Sequence, residues 1–99
     1  MSEELATSSE RFPCGSALHH ASKIGVTDDK PLLFDYWGPS VAGLVVIGVR
    51  ENEEKLLVKN EEEYTSPIKK IFRVETDLVV VTENSIYMVA DNVSTRRIT

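Results

Sequence analysis

The chain has 99 residues, enough for one domain with a modest core. Its 41% hydrophobic and 27% charged content is that of a globular protein and argues against a wholly disordered chain. A formal net charge of −5 argues against a dedicated binder of duplex nucleic acid, which carries a basic footprint.

Residues 1–15 are rich in Ser, Glu and Thr without periodicity and are expected to form a flexible N-terminal arm. The start of the arm is acidic and has no continuous apolar stretch, so it does not read as a secretory signal. The one cysteine, Cys14, cannot close an internal disulfide, which points to a reducing, cytoplasmic setting. Residues 16–25 suit a short helix. Ser16 is the expected N-cap, Ala17, Leu18, Ala21 and Ile24 form a partial apolar face, and Gly25 is the expected stop. Residues 27–30 read as a turn. Leu32 to Trp37 is a dense apolar segment, either a short strand or an extended plug, closed by Gly38 and Pro39.

From Val41 the pattern turns to β. Five strands are expected, at 41–50, 55–59, 67–74, 78–83 and 86–90, with short polar turns between them. Connections that short favour antiparallel neighbours. Within 67–74, alternation sets Ile68, Lys70, Phe72 and Val74 on one side and Lys69, Ile71 and Arg73 on the other. Pro67 suits the first residue of a strand, and Asn84-Ser85 closes a hairpin. Gly43 and Gly48 inside the first strand permit a bend. The expected fold is mainly β: a five-stranded antiparallel meander curled into a small barrel or half-barrel, preceded by a short helix. A single domain spans 16–90, with its β core at 41–90. Residues 91–99 form a polar, frayed C-terminal tail.

The stretch from Thr65 to Tyr87 has a distinctive order. Thr65-Ser66-Pro67-Ile68 opens a strand, and Thr82-Glu83-Asn84-Ser85-Ile86-Tyr87 carries the chain from one strand to the next. This resembles a pattern in small β-domain proteins of bacteriophages and mobile elements. The resemblance implies a small β domain and carries over no catalytic residue.

Cys14, His19 and His20 are the only cluster with metal-ligand chemistry. Zinc wants four ligands, and adjacent histidines on a helix point about 100° apart, so the cluster reads as incidental. Cys14 in a mobile arm lacks the preorganisation that a nucleophile needs. No Gly-x-Ser-x-Gly elbow and no glycine-rich phosphate loop occurs. No enzyme, cofactor or metal is expected.

Charge is concentrated instead. Residues 51–63 hold Glu51, Glu53, Glu54, Glu61, Glu62 and Glu63 against Lys55 and Lys59, a net −4 of the chain's −5. With 55–59 as a strand, the two Glu clusters sit at its opposite ends. They are either solvated turns or a surface for a basic partner. Tyr36 and Trp37 are either core or an exposed interface anchor. The expected role is a non-enzymatic interaction or regulatory protein that binds a protein partner or self-associates. Its contacts would come from Tyr36, Trp37 and the acidic turns. The alternative is a single-stranded nucleic-acid binder using Lys69, Lys70 and Arg73, with Tyr64 or Tyr87 stacking on bases.

Overall fold

The computed structural model describes residues 12–98. The expected arm lies outside the described residues up to residue 11. Residues 12–14 lead directly into a helix, α1 (Gly15–Asp28). The helix starts before Ser16, because Cys14 is the cap: its sulfur accepts the Ala17 N–H at 3.4 Å. The Cys14 backbone N–H is itself tied to the buried Asp77 carboxylate at 2.6 Å. Gly25 does not stop the helix. The chain continues to Asp29, which takes the left-handed conformation (φ 56°) and closes the helix by bonding the Gly25 carbonyl. Gly25 serves packing, since a Cβ there would meet the Lys30 carbonyl at 3.2 Å.

After β1 (Leu32–Leu33) comes a second helix, α2 (Trp37–Val41). Gly38 and Pro39 were expected to end a segment, but they lie inside this helix. Pro39 falls within its first turn, where a missing N–H costs nothing. Val41 is therefore helical, and Gly43 (φ 77°) makes the turn that follows. The expected first strand shortens to β2 (Val46–Val49). Six strands follow: β3 (Lys55–Asn60), β4 (Glu63–Tyr64), β5 (Ile68–Val74), β6 (Asp77–Thr82), β7 (Ile86–Ala90) and β8 (Ser94–Arg97).

The strands form two four-stranded sheets and no closed barrel. The inner sheet has the order β1-β7-β6-β5 and the outer sheet β4-β3-β2-β8. Eight strands thus replace the five expected among the described residues. The three extra ones are edges: β1 and β4, of two residues each, and β8, in what was expected to be a frayed tail. Two edge pairings, β1 with β7 and β2 with β8, are parallel. The meander holds within β5-β6-β7 and within β2-β3-β4, but the chain leaves one sheet for the other at Thr65-Ser66-Pro67.

Two apolar clusters bind three layers. Helices α1 and α2 cover one face of the inner sheet, where Ala17, Ala21 and Trp37 pack on Val79, Val81, Ile86 and Met88. The outer sheet covers the other face, where Val45, Ile47 and Leu57 meet Leu78, Val80 and Val89. Central strand β6 is buried along its whole length, which its continuous run Leu78-Val79-Val80-Val81 requires. The register of β5 on β6 shifts between Ile68 and Lys70. That irregularity moves Ile68 off the side of Phe72 and Val74. Ile68 packs towards the outer sheet, Phe72 and Val74 towards the helices.

Candidate interaction face

The outer sheet has one covered face and one open face. On β2 and β3 the odd positions Ile47 and Leu57 point inward. Alternation sends Val46, Gly48, Arg50, Leu56 and Val58 outward. Tyr64 of β4 pairs with Val58 and joins them, 53% exposed. Ile98, just past β8, is 42% exposed and lies over Gly48, where a Cβ would come within 2.7 Å of the Ile98 Cδ1. The glycine is therefore a close-approach site and not a bend. A groove of about 620 Å³ lies on this side, with Leu56, only 2% exposed, at its floor and Val58 half-buried beside it, while Tyr64 and Ile98 are the exposed apolar side chains of its lining. Arg50 stands at one end of it and Asn60 and Glu61 at the other.

Both acidic clusters border this face, at opposite ends of β3 as the sequence implies. Glu51 and Glu53 lie in the β2–β3 connection, and Glu54 immediately precedes β3. Glu54 is 4.0 Å from Arg50 and Glu53 is 3.4 Å from Arg97. Glu61 and Glu62 lie in the β3–β4 turn and Glu63 in β4. The Asn60 side chain fixes that turn by accepting the Glu62 and Glu63 N–H groups at 2.8 and 3.0 Å. Glu63 is 3.8 Å from Lys59. The first two pairs are exposed and the third is half so, with the Lys59 side chain 19% exposed, and each contributes about 1 kcal/mol or less.

Tyr36 and Trp37 are not surface anchors. They are 5% and 7% exposed and belong to the two apolar clusters. The Tyr36 ring meets Tyr87 edge-on at 5.1 Å and has the Lys59 ammonium 4.6 Å from its centre. Lys69, Lys70 and Arg73 are exposed on β5, an edge of the inner sheet. Arg73 is held by Asp91 at 2.7 Å. Neither tyrosine joins them: Tyr87 is half-buried between the sheets, and Tyr64 belongs to the outer face of the other sheet.

Cys14 is part of the framework, with its Sγ 3.8 Å from the Val74 carbonyl. Desolvation pushes its thiol up, opposed by the Ala17 N–H and reinforced by Asp77. That direction disfavours the thiolate that a nucleophile or metal ligand requires. Its supposed partner His20 stacks on Phe72 at 4.9 Å instead, beside a recess of about 290 Å³ between α1 and β5. Among the described residues no group of three His, Cys, Asp or Glu side chains is placed to hold a metal ion. No described helix is long and apolar enough to cross a membrane.

The face was missed in the sequence, yet a signal was present. Leu56-Leu57-Val58 are three consecutive apolar residues in a strand, so both of its sides are apolar and each needs a cover. Arg50, Tyr64 and Ile98 carried no comparable signal, because they join the groove only through strand pairing. No family model, curated protein or solved structure matches the chain.

Proposed function

We propose that this protein is a non-enzymatic interaction module of a phage or mobile element, and that it engages a protein through the open face of its outer sheet. One observation carries the reading. Three of the four sheet faces are covered by a packed layer, and the fourth bears an apolar groove with no described layer over it. Apolar side chains on an open sheet face lower solubility, and they persist where a partner covers them. The resemblance from Thr65 to Tyr87 supports the phage or mobile-element setting. The alternative, single-stranded nucleic acid on Lys69, Lys70 and Arg73, has less support: Arg73 is engaged by Asp91, and the ring nearest Lys70, Phe72, is half-buried against His20.

Site-specific photocrosslinking tests the reading. A benzophenone side chain is placed at position 64, and a control is placed at Val26, which is 84% exposed on α1. The expected result is protein adducts from position 64 and none from position 26. Adducts from position 26 alone, or from neither, sink the proposal.

A further inference from the structure

Apart from the outer-sheet face, we infer that the free edge of β5 accepts an added strand, an extended segment of another protein. That segment pairs its backbone along residues 70–74, sets carboxylates against Lys69 and Lys70, and sets apolar side chains opposite Ile71 and Phe72.

Of the four edge strands, β1 and β4 have two residues each and β8 has four, whereas β5 has seven. β5 pairs with β6 on one side and with no described strand on the other, so alternate backbone N–H and C=O groups point outward from it. Lysines and a bulge are ordinary guards of such an edge. Here the bulge is confined to the start of the strand, between Ile68 and Lys70, and residues 70–74 keep a regular register on β6. Within that regular stretch Ile71 holds an apolar side chain 38% exposed.

Both sides of the edge are hollow. A strand added to β5 sends its side chains alternately to the two faces of the sheet. On the helix face they meet the recess of about 290 Å³ that His20 and Lys23 of α1 form with Lys70 and Phe72 of β5. On the other face they meet a cleft of about 530 Å³ between Ile68, Lys69 and Ile71 and the β2–β3 connection. An edge that is merely guarded needs neither hollow. Strand addition uses both, because backbone pairing supplies its affinity and sockets for alternate side chains supply its specificity.

Charge decides which strand fits. Among the described residues no carboxylate is within ion-pair distance of Lys23, Lys69 or Lys70. The recess holds Lys23 and Lys70 against Asp28 alone. Glu53 and Glu54 border the cleft, but they stand 3.4 Å from Arg97 and 4.0 Å from Arg50. Residues directly across a strand pair share a face, so a carboxylate opposite Lys70 lies on the side of Lys23, and Lys69, the extra residue of the bulge, takes a second one. Apolar side chains opposite Ile71 and Phe72 cover those two. A second copy of β5 fits worse: laid antiparallel about Ile71, it sets Lys69 across from Arg73 twice, like charge on like. The lysines thus turn away a basic strand and admit an acidic one.

The test adds capped hexapeptides to the isotopically labelled full chain, at about 1 mM because so short a strand binds weakly. Thr-Val-Val-Glu-Glu-Thr presents the pattern in antiparallel pairing and Thr-Glu-Glu-Val-Val-Thr in parallel pairing. With one of them, amide shifts and slowed hydrogen exchange are expected along residues 69–74. The same peptide with Lys in place of Glu, or with its pairing-edge amides N-methylated, is expected to bind at least about tenfold more weakly. Lys69→Glu with Lys70→Glu changes two exposed side chains and is expected to reverse the preference, taking the Lys peptide over the Glu peptide. An unchanged amide spectrum outside β5 verifies the fold of that variant. Absence of shifts with both peptides overturns the inference, as does a methylated peptide that binds like its parent or a double variant that keeps the wild-type preference. Shifts confined to Val58, Tyr64 and Ile98 also overturn it, and they leave the outer-sheet face standing as the interaction surface.

Discussion

Tyr36 shows how one side chain couples charge to the seam between the sheets. Desolvation is the largest influence on its phenol, followed by Tyr87, Asp35 and Glu63, and together they push its pKa up to about 12 from 10.0. Tyr87 is raised as well, by desolvation first and then by Asp35. The native state therefore keeps a proton that the unfolded chain has already lost. The stability held by this difference is intact below pH 10 and is lost as pH rises through about 12. The urea midpoint should fall across that window, and Tyr36→Phe should fall less steeply over the same range. Equal slopes in both proteins would place the alkaline sensitivity elsewhere. Lys59 stands over the same ring, with its ammonium 4.6 Å from the centre. Such a neighbourhood is not legible in the sequence: apart from adjacent Asp35, the partners Lys59, Glu63 and Tyr87 are far along the chain, and only the packing of two sheets brings them together.

At the scale of elements, the crossing from one sheet to the other at Thr65 is the joint on which the architecture depends. Thr65 is buried, and its hydroxyl oxygen accepts the Leu57 N–H at 3.1 Å while donating to the Ser66 carbonyl at 2.9 Å. Its own N–H bonds the Leu57 carbonyl. Thr65→Val keeps the shape but leaves the Leu57 N–H without its acceptor, and should cost about 1–3 kcal/mol in denaturant unfolding. A cost below a few tenths would show that water replaces the hydroxyl. The Thr82–Ser85 turn is fastened similarly: the Thr82 hydroxyl donates to the Ser85 carbonyl at 2.9 Å and accepts the Ser85 N–H at 3.1 Å. The threonines and serines of the quoted pattern are thus joints between strands. The strands β2, β3, β5, β6 and β7 were legible because apolar runs and polar turns mark them directly, although β2 is only the second half of the expected 41–50, and β1 was one of two readings of Leu32 to Trp37. The edge strands β4 and β8 were not. In β8, Ser94-Thr95-Arg96-Arg97 has no apolar period, and it is a strand because β2 offers it an unpaired edge. Helix α2 was hidden by its Gly38 and Pro39, which are ordinarily breakers.

For the whole molecule, the inner sheet is shared by two apolar clusters, one beneath the helices and one beneath the outer sheet. Val79 and Val81 serve the first while Leu78 and Val80 serve the second, so neither cluster outlives β6. Unfolding should therefore be a single transition. Trp37 fluorescence, which reports the helix side, and far-ultraviolet circular dichroism, which follows all three layers, should give coincident curves. Separated midpoints would mean that the outer sheet can detach. Composition fixed the size of the core and its β character in advance. It could not divide the strands between two sheets, because a short polar turn is equally compatible with pairing to the previous strand and with crossing to another layer.

The parallel pairing of β8 with β2 also bears on the order in which the structure assembles. The hairpins β2–β3, β5–β6 and β6–β7 close over a few residues each, whereas the contact between Arg97 and Arg50 spans 47 positions and that between Cys14 and Asp77 spans 63. Closing the longer loops costs more chain entropy, and that cost is recovered only when the partner edge already exists. β8 is therefore expected to dock on a preformed β2, and Ile98 reaches Gly48 only once it has. The groove is completed by a contact of long sequence separation, so a chain in which β8 has not docked lacks Ile98 over Gly48.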